Sequence, residues 1–531
     1  VRQANFALLI LMIVILIPAG FAGAGEPAPE RPLSRDEMRA VIQFLSSDLL
    51  EGRAPGTRGG ELAEAYLESL FQLLGLQPGQ GSGYRQPFVL KGFETHDPAA
   101  RCGGVPLEPG RDFMLAYLRD EAQFRFDAEA VFVGFGIHAP AYEWDDFKDA
   151  DVRGKLVFVR VNDPGLFDPA RFNGRRMTYF GRWRYKVEEA ARRGAAGIVL
   201  IHTDATAGYG WDVVRHSWSG EEFCLPADLD NNLRLRGWIT EAALRQALNR
   251  EGLDLDALYR QSLRPDFRPV PLRGRFTLTG RNSFRQFQTS NIIGEIPGQT
   301  GRRIVVSAHI DHLGMARTGD GDRIFNGAVD NGSAVATMVL VAKRLAERSE
   351  PLRHTITFLA CQAEEAGLLG TRYYVDHADA AAIVANLNLE SVPVREAARD
   401  FHGIGAEHST LGELLRDVLA TEGLAMTRSF LEEQGFYFRS DQFSFALRGI
   451  PAVMLMPGTD YPSGVNHQAD YFRLRYHTVD DEFRPEWELD GVRQAVQVTV
   501  RMIEAIDRAA EPPAMKPVKV FPITPRTQRN D

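Results

Sequence analysis

From about residue 289 onward, short apolar runs alternate with segments of helical period, and this alternation leaves few folds open to the chain. Residues 291–296, 303–308, 355–360 and 383–389 read as strands, while 333–347 and 367–377 carry the 3.6-residue spacing of helices. Strand and helix in such order imply an α/β fold: a mixed, mainly parallel sheet sandwiched by helices. In open sheets of this kind, ligands gather outside the carboxyl ends of the strands.

The upstream chain has a different texture. Helical spacing over 34–74 places Leu62, Ala65, Tyr66, Leu70 and Leu73 on one face, interrupted by a turn at 51–56. From about residue 121 short β-rich runs take over, with one helix-like stretch at 185–193. A chain of 531 residues exceeds one ordinary core. The expected organisation is therefore a leader at 1–24, a first part of the main domain at 33–120, an inserted β-rich unit at 121–288, the second part of the main domain at 289–511, and a loose tail at 512–531.

The leader reads as a secretory signal: Arg2, an apolar run over 6–17, then Pro18 and the small residues Ala22-Gly23-Ala24. The expectation is a secreted or periplasmic protein with no stable membrane insertion after cleavage, or an anchored one if the run is retained. Three cysteines, Cys102, Cys224 and Cys361, cannot all pair within the chain; a Cys102–Cys224 bridge is compatible with the count but not dictated by it. A net charge of −9 gives no electrostatic case for nucleic acid as a partner.

The chemistry sits at the strand ends. The run at 303–308 leads into His309-Ile310-Asp311-His312, the next into Glu364-Glu365, and a third ends at Glu390. Between the first two, a glycine-containing loop from Asn326 to Ser333 carries Asp330 to the start of a helix. His477 follows in Arg475-Tyr476-His477-Thr478. Any one of these has an ordinary explanation, since carboxylates favour helix starts and Asp caps them. Taken together, His and carboxylate without Cys is the donor set of catalytic rather than structural zinc.

These segments resemble metallopeptidase family twenty-eight, the two-zinc exopeptidases, in Ser307 to Gly314, Asn326 to Ser333, Glu364 to Gly370, Asn386 to Glu390 and Arg475 to Thr478. The resemblance implies a zinc exopeptidase fold with two Zn²⁺ ions and peptide substrates. It further implies that Asp330 bridges the ions, with His309 and Glu390 on one and Glu365 and His477 on the other. Glu364 would be the general base, Asp311 would hydrogen-bond the second ring nitrogen of His309, and Tyr437 would meet the substrate carbonyl. His312 has no metal role in the family motif. The family usually has Asp where this chain has Glu390, so the carboxylate is displaced by about one carbon–carbon bond. The middle unit resembles a protease-associated domain in Val133 to Ile137, Gly154 to Val157 and Tyr185 to Gly197. An aminopeptidase is the first expectation. A carboxypeptidase would need Arg439, Arg473 or Arg475 for a terminal carboxylate, and a non-catalytic receptor would have no need of Glu364.

Overall fold

A computed structural model describes residues 33–218, 220–316 and 321–524; the expected leader lies outside them. Four strands, Thr355–Cys361, Arg303–His309, Ile383–Leu389 and Ala452–Pro457, lie side by side and parallel. Their residues are buried on both faces, which is why they read as continuous apolar runs rather than alternating ones. Asp400–Ile404 adds an antiparallel strand beyond Ala452–Pro457. Helices cover this sheet: Ala334–Ala346, almost wholly buried, packs beside the 19-residue amphipathic helix Asp490–Arg508, and Leu369–His377 lies beside Gln442–Leu447. The mixed, mainly parallel sheet between helices is as expected.

The middle unit is not a separate sheet. A 27-residue strand, Val270–Ile296, pairs antiparallel with Thr355–Cys361 through its last residues and with Gln123–Phe132 through its first. Along most of its length it also pairs with the 18-residue strand Arg85–Cys102. Beyond Gln123–Phe132 the sheet continues in parallel through Leu156–Arg160, Gly197–His202 and Leu235–Thr240. Two long strands thus run from one half of the molecule into the other. Ala100, Val105, Phe113 and Tyr117 pack into the same core as Phe126 and Phe158, so the middle unit's core takes in residues well before 121.

Contacts between the halves are specific. Arg372 forks the Asp228 carboxylate at 2.9 and 2.6 Å, and Arg176 meets Glu432 at 2.7 Å. The Tyr179 ring packs on Phe438 and Phe443, while its backbone N–H donates to the Val520 carbonyl at 2.9 Å. That last bond corrects the loose tail: residues 512–524 are docked, with Phe521 buried among these aromatic rings, because one apolar anchor outweighs the polar residues around it. All three cysteines are buried and free, so no Cys102–Cys224 bridge forms. Among the described residues no helix is long and apolar enough to cross a membrane.

Candidate metal centre

Three adjacent parallel strands end at one edge, and each delivers an acid or an imidazole there. His309 closes Arg303–His309, Glu364 and Glu365 follow Thr355–Cys361, and Glu390 follows Ile383–Leu389. Asp330 comes from the tight turn Ala328–Ser333 that opens the helix Ala334–Ala346. The turn depends on Gly327, at φ +58°: a Cβ there would stand 2.2 Å from the Asp330 carbonyl oxygen and 2.7 Å from the His312 ring. The Asp330–Asn331 peptide is cis. Asn331 then ties the turn to the third strand, its side-chain oxygen accepting from the Ser391 N–H at 2.9 Å and its amide donating to the Leu389 carbonyl at 3.2 Å.

All five residues named as ligands converge. His309 Nε2 lies 3.3 Å from Asp330 Oδ1 and 3.0 Å from Glu390 Oε1. His477 Nε2 lies 3.4 Å from Asp330 Oδ2 and 3.2 Å from Glu365 Oε2. Asp330 therefore turns one oxygen toward each group. Donors bound at about 2.0–2.1 Å to one tetrahedral ion stand about 3.3 Å apart, so both sets have the spacing of zinc ligands. Asp330 Oδ1, Glu390 Oε2 and His477 Nε2 are buried and have no hydrogen-bond partner among the described residues, a costly arrangement unless cations occupy the gaps. Glu390, though a methylene longer than Asp, reaches its imidazole.

The electrostatics say the same. Burial works against the charged form of His309, yet Glu390 and Glu364 carry its pKa well above the ordinary imidazole value. Burial likewise opposes charge on His477, and Glu365 with Asp330 raises it to about 9. Burial pushes Glu390 up to about 7 against the pull of His309. A pocket that draws protons onto its imidazoles in this way is a pocket built for positive charge.

The neighbours that hold these ligands are partly new. Asp311 lies beneath His309, but its carboxylate stands 3.7 Å from Nδ1, and the nearer partner is the Asp311 backbone carbonyl at 3.2 Å. A carbonyl only accepts, so Nδ1 donates and Nε2 is left facing Asp330 and Glu390. The Asp311 carboxylate instead accepts the N–H groups of Glu364 and Glu365 at 3.0 and 3.2 Å, setting both side chains. His312 Nδ1 lies 2.8 Å from Glu365 Oε1, the oxygen turned away from His477, and its donors also stand within 4.8 Å of Asp330.

Sequence reasoning passed over three of the supports. Asp481 accepts the N–H groups of Val329 and Asp330, each at 3.0 Å, and so holds the bridging turn. Arg53, within the segment read only as a turn, is buried and donates to the carbonyls of Ile310, Gly327, Leu45 and Asn326. Ser217, at the end of the helix Trp211–Ser217 in the middle unit, places its Oγ 3.2 Å from His477 Nδ1. None of the three lies at a strand end, where the pattern of donor residues is legible in the sequence.

Tyr437 is the clear correction. It is buried with its hydroxyl 3.4 Å from the Ala452 carbonyl, against His408 and Phe521, and it does not line the metal cavity. In the single turn Phe436–Phe438, Phe436 faces the cavity and the next residue is rotated into the core. A phenol that does line the cavity beside the proposed ligands is Tyr476, stacked on His477 with ring centroids 3.9 Å apart. The cavity, of about 400 Å³, is lined by Glu364, Tyr476 and Arg439 and, from the middle unit, by Trp183, Tyr209 and Trp218.

The model of peptidase family M28 matches residues 291–500, the span that holds every ligand named above. Residues 291–500 belong to peptidase family M28. Within curated proteins, the chain is 26% identical over 219 residues to the probable lipoprotein aminopeptidase LpqL of Mycobacterium tuberculosis, covering 39% of this chain and 41% of that one. It is 28% identical over 219 residues to leucine aminopeptidase 1 of Aspergillus niger, covering 38% and 51%. The alignments thus span about half or less of these relatives. In fold, the chain is similar to the aminopeptidase from Aneurinibacillus sp. strain AM-1, with a TM-score of 0.54 at 19% identity, covering 91% of this chain and 96% of that one. That likeness extends over the middle unit as well as the M28 segment.

Proposed function

We propose that the protein is a zinc-dependent exopeptidase, an aminopeptidase that removes N-terminal residues from peptides outside the cytoplasm. The observation that carries the reading is the division of Asp330 between two donor sets with Glu364 beside them. His309, Glu390 and Asp330 would hold one ion, and Asp330, Glu365 and His477 the other. When bound, such ions supply Lewis acidity toward a carbonyl and acidify water.

The chain's own groups do the rest. Glu364 points into the cavity, its Oε2 4.0 Å from His309 Nε2. Burial pushes its carboxyl well above the usual range; His309 pulls the other way, and Glu390 and Glu365 add to the rise. A carboxylate so raised is suited to take a proton from the attacking water and return it to the leaving amine. The Tyr476 hydroxyl accepts from Arg439 Nη2 at 2.9 Å, which leaves its own proton free to donate to the carbonyl oxygen as charge develops there. The aromatic wall of the middle unit limits water around the scissile bond, and we assign it the part of a cover over the site, in keeping with its resemblance to a protease-associated domain.

The test is hydrolysis of peptides with free and blocked amino termini, with zinc measured on the same preparation. Glu364→Gln should lower kcat by roughly 10²–10⁴-fold with zinc content unchanged. Cleavage that tolerates a blocked amino terminus would replace the aminopeptidase reading with a carboxypeptidase one. Of the three arginines considered for that role, Arg439 lines the metal cavity, whereas Arg473 is spent on Asp470 at 2.8 Å and Arg475 lies outside it.

A further inference from the structure

The metal cavity holds a second constellation of opposite sign. Arg182, at the start of the helix Trp183–Arg192 in the middle unit, is 7% exposed and lines the cavity. No hydrogen-bond acceptor or carboxylate among the described residues meets its guanidinium, and its Nε is wholly buried without a partner. Its side chain crosses the loop of the M28 segment closely, Cδ standing 3.4 Å from where a Cβ on Gly435 would be. Arg439, four residues on, lines the same cavity, and among the described residues its hydrogen-bond partner is the Tyr476 hydroxyl. The guanidinium of Arg439 is framed by Tyr209, Phe436 and Tyr476, at 5.2–5.7 Å from their ring centres.

Two guanidiniums share the cavity with no carboxylate hydrogen-bonded to either among the described residues, although against burial the pKa of Arg439 is held up by Tyr476 and Tyr209 with help from the nearby Glu364. Burial, and after it the charge of Arg439, lowers the pKa of Arg182 to about 10. Elsewhere at the contact between the halves the arginines are paired: Arg372 with Asp228, Arg176 with Glu432. A buried cation with no hydrogen-bonded acid is costly, and an incoming anion that fills the gap recovers that cost. The planar fork of arginine suits a carboxylate in particular.

We propose that Arg182 and Arg439 form a carboxylate-binding subsite beside the metal centre, so that the favoured substrates are short peptides bearing a carboxylate next to the scissile bond. The carboxylate would belong either to the C-terminus of a dipeptide or to an acidic side chain. The subsite spans both halves of the molecule, one arginine from each. This deepens the peptidase reading and rests on it for the word substrate.

The experiment compares kcat/KM for Leu-Ala free acid with Leu-Ala amide, and for Leu-Glu amide with Leu-Gln amide, in the wild-type zinc-loaded protein and in Arg182→Met and Arg439→Met. The first pair reports a terminal carboxylate and the second a side chain. At least one charged member should be preferred roughly ten- to hundredfold, chiefly through KM, and the charged-to-neutral ratio should collapse in both variants. Equal use of charged and neutral members by the wild type overturns the proposal, as does a preference that survives in both variants. Calorimetric binding of Leu-Ala free acid and amide to Glu364→Gln, with and without Arg182→Met, reads the subsite apart from turnover. Arginine-dependent binding of the acid with no hydrolysis by the wild type would leave the subsite standing and remove the peptidase reading. Hydrolysis with no arginine-dependent difference in binding would do the reverse.

Discussion

At the level of single residues, the site depends on where each polar atom is spent. Asp311 spends its carboxylate on two backbone N–H groups rather than on the imidazole, so it positions Glu364 and Glu365 together. Tyr437 spends its hydroxyl on a long contact to the Ala452 carbonyl. Tyr437→Phe should therefore keep kcat/KM within about twofold of wild type and cost about 1 kcal/mol of stability or less, measured by steady-state kinetics and denaturant melts. A hundredfold fall in kcat would return that hydroxyl to the reaction. Three of the proposed ligands, His309, Glu365 and Glu390, were legible because strand ends, donor chemistry and order coincide there, whereas Asp330 and His477 sit in turns and were legible through the motifs that carry them. Tyr437 misled because Phe436, Tyr437 and Phe438 read alike as a string, and only the rotation within their single turn decides which ring meets the cavity.

Among elements, the bridging turn Ala328–Ser333 is the part most dependent on outside help. It is held by Asp481 from below, by Arg53 through the Gly327 carbonyl, and by Asn331 across to the Glu390 strand. Asp481→Ala should weaken zinc binding roughly ten- to hundredfold, read by competition with a chromophoric chelator, while leaving secondary structure intact by circular dichroism. Unchanged zinc affinity would show that the turn holds its shape unaided. This support was not legible beforehand, since a carboxylate four residues after His477 has no spacing or period that marks it as a clamp for residue 330. The strands and helices from 291 to 389 were legible for the opposite reason: burial on both faces writes itself as an unbroken apolar run, and helical period marks what lies between.

On the scale of the whole molecule, five carboxylates and three imidazoles share one buried corner: Asp311, Asp330, Glu364, Glu365 and Glu390 with His309, His312 and His477. Removing cations from it leaves those charges facing one another. Chelation should lower the unfolding free energy by about 2.7 kcal/mol if zinc had been present at a hundredfold over its Kd, seen as a drop in Tm that added zinc reverses. An unchanged Tm would mean that protons alone satisfy the cluster. The placement of the middle unit was legible only in outline. The change of texture near residue 289 falls inside the strand Val270–Ile296, because pairing with Arg85–Cys102 continues through it regardless of which core its side chains enter.

That shared ribbon has a further consequence. The ladder between the two long strands continues from Phe276 to Ile292 with one irregularity, at Thr279 and Arg281, so the wall bearing Arg182 and the floor bearing Arg439 are joined by a common girder. On the peptidase reading proposed above, the gauge of the entrance would be set by the architecture, so that loose ends of small fragments would enter for trimming and intact folded proteins would stay outside.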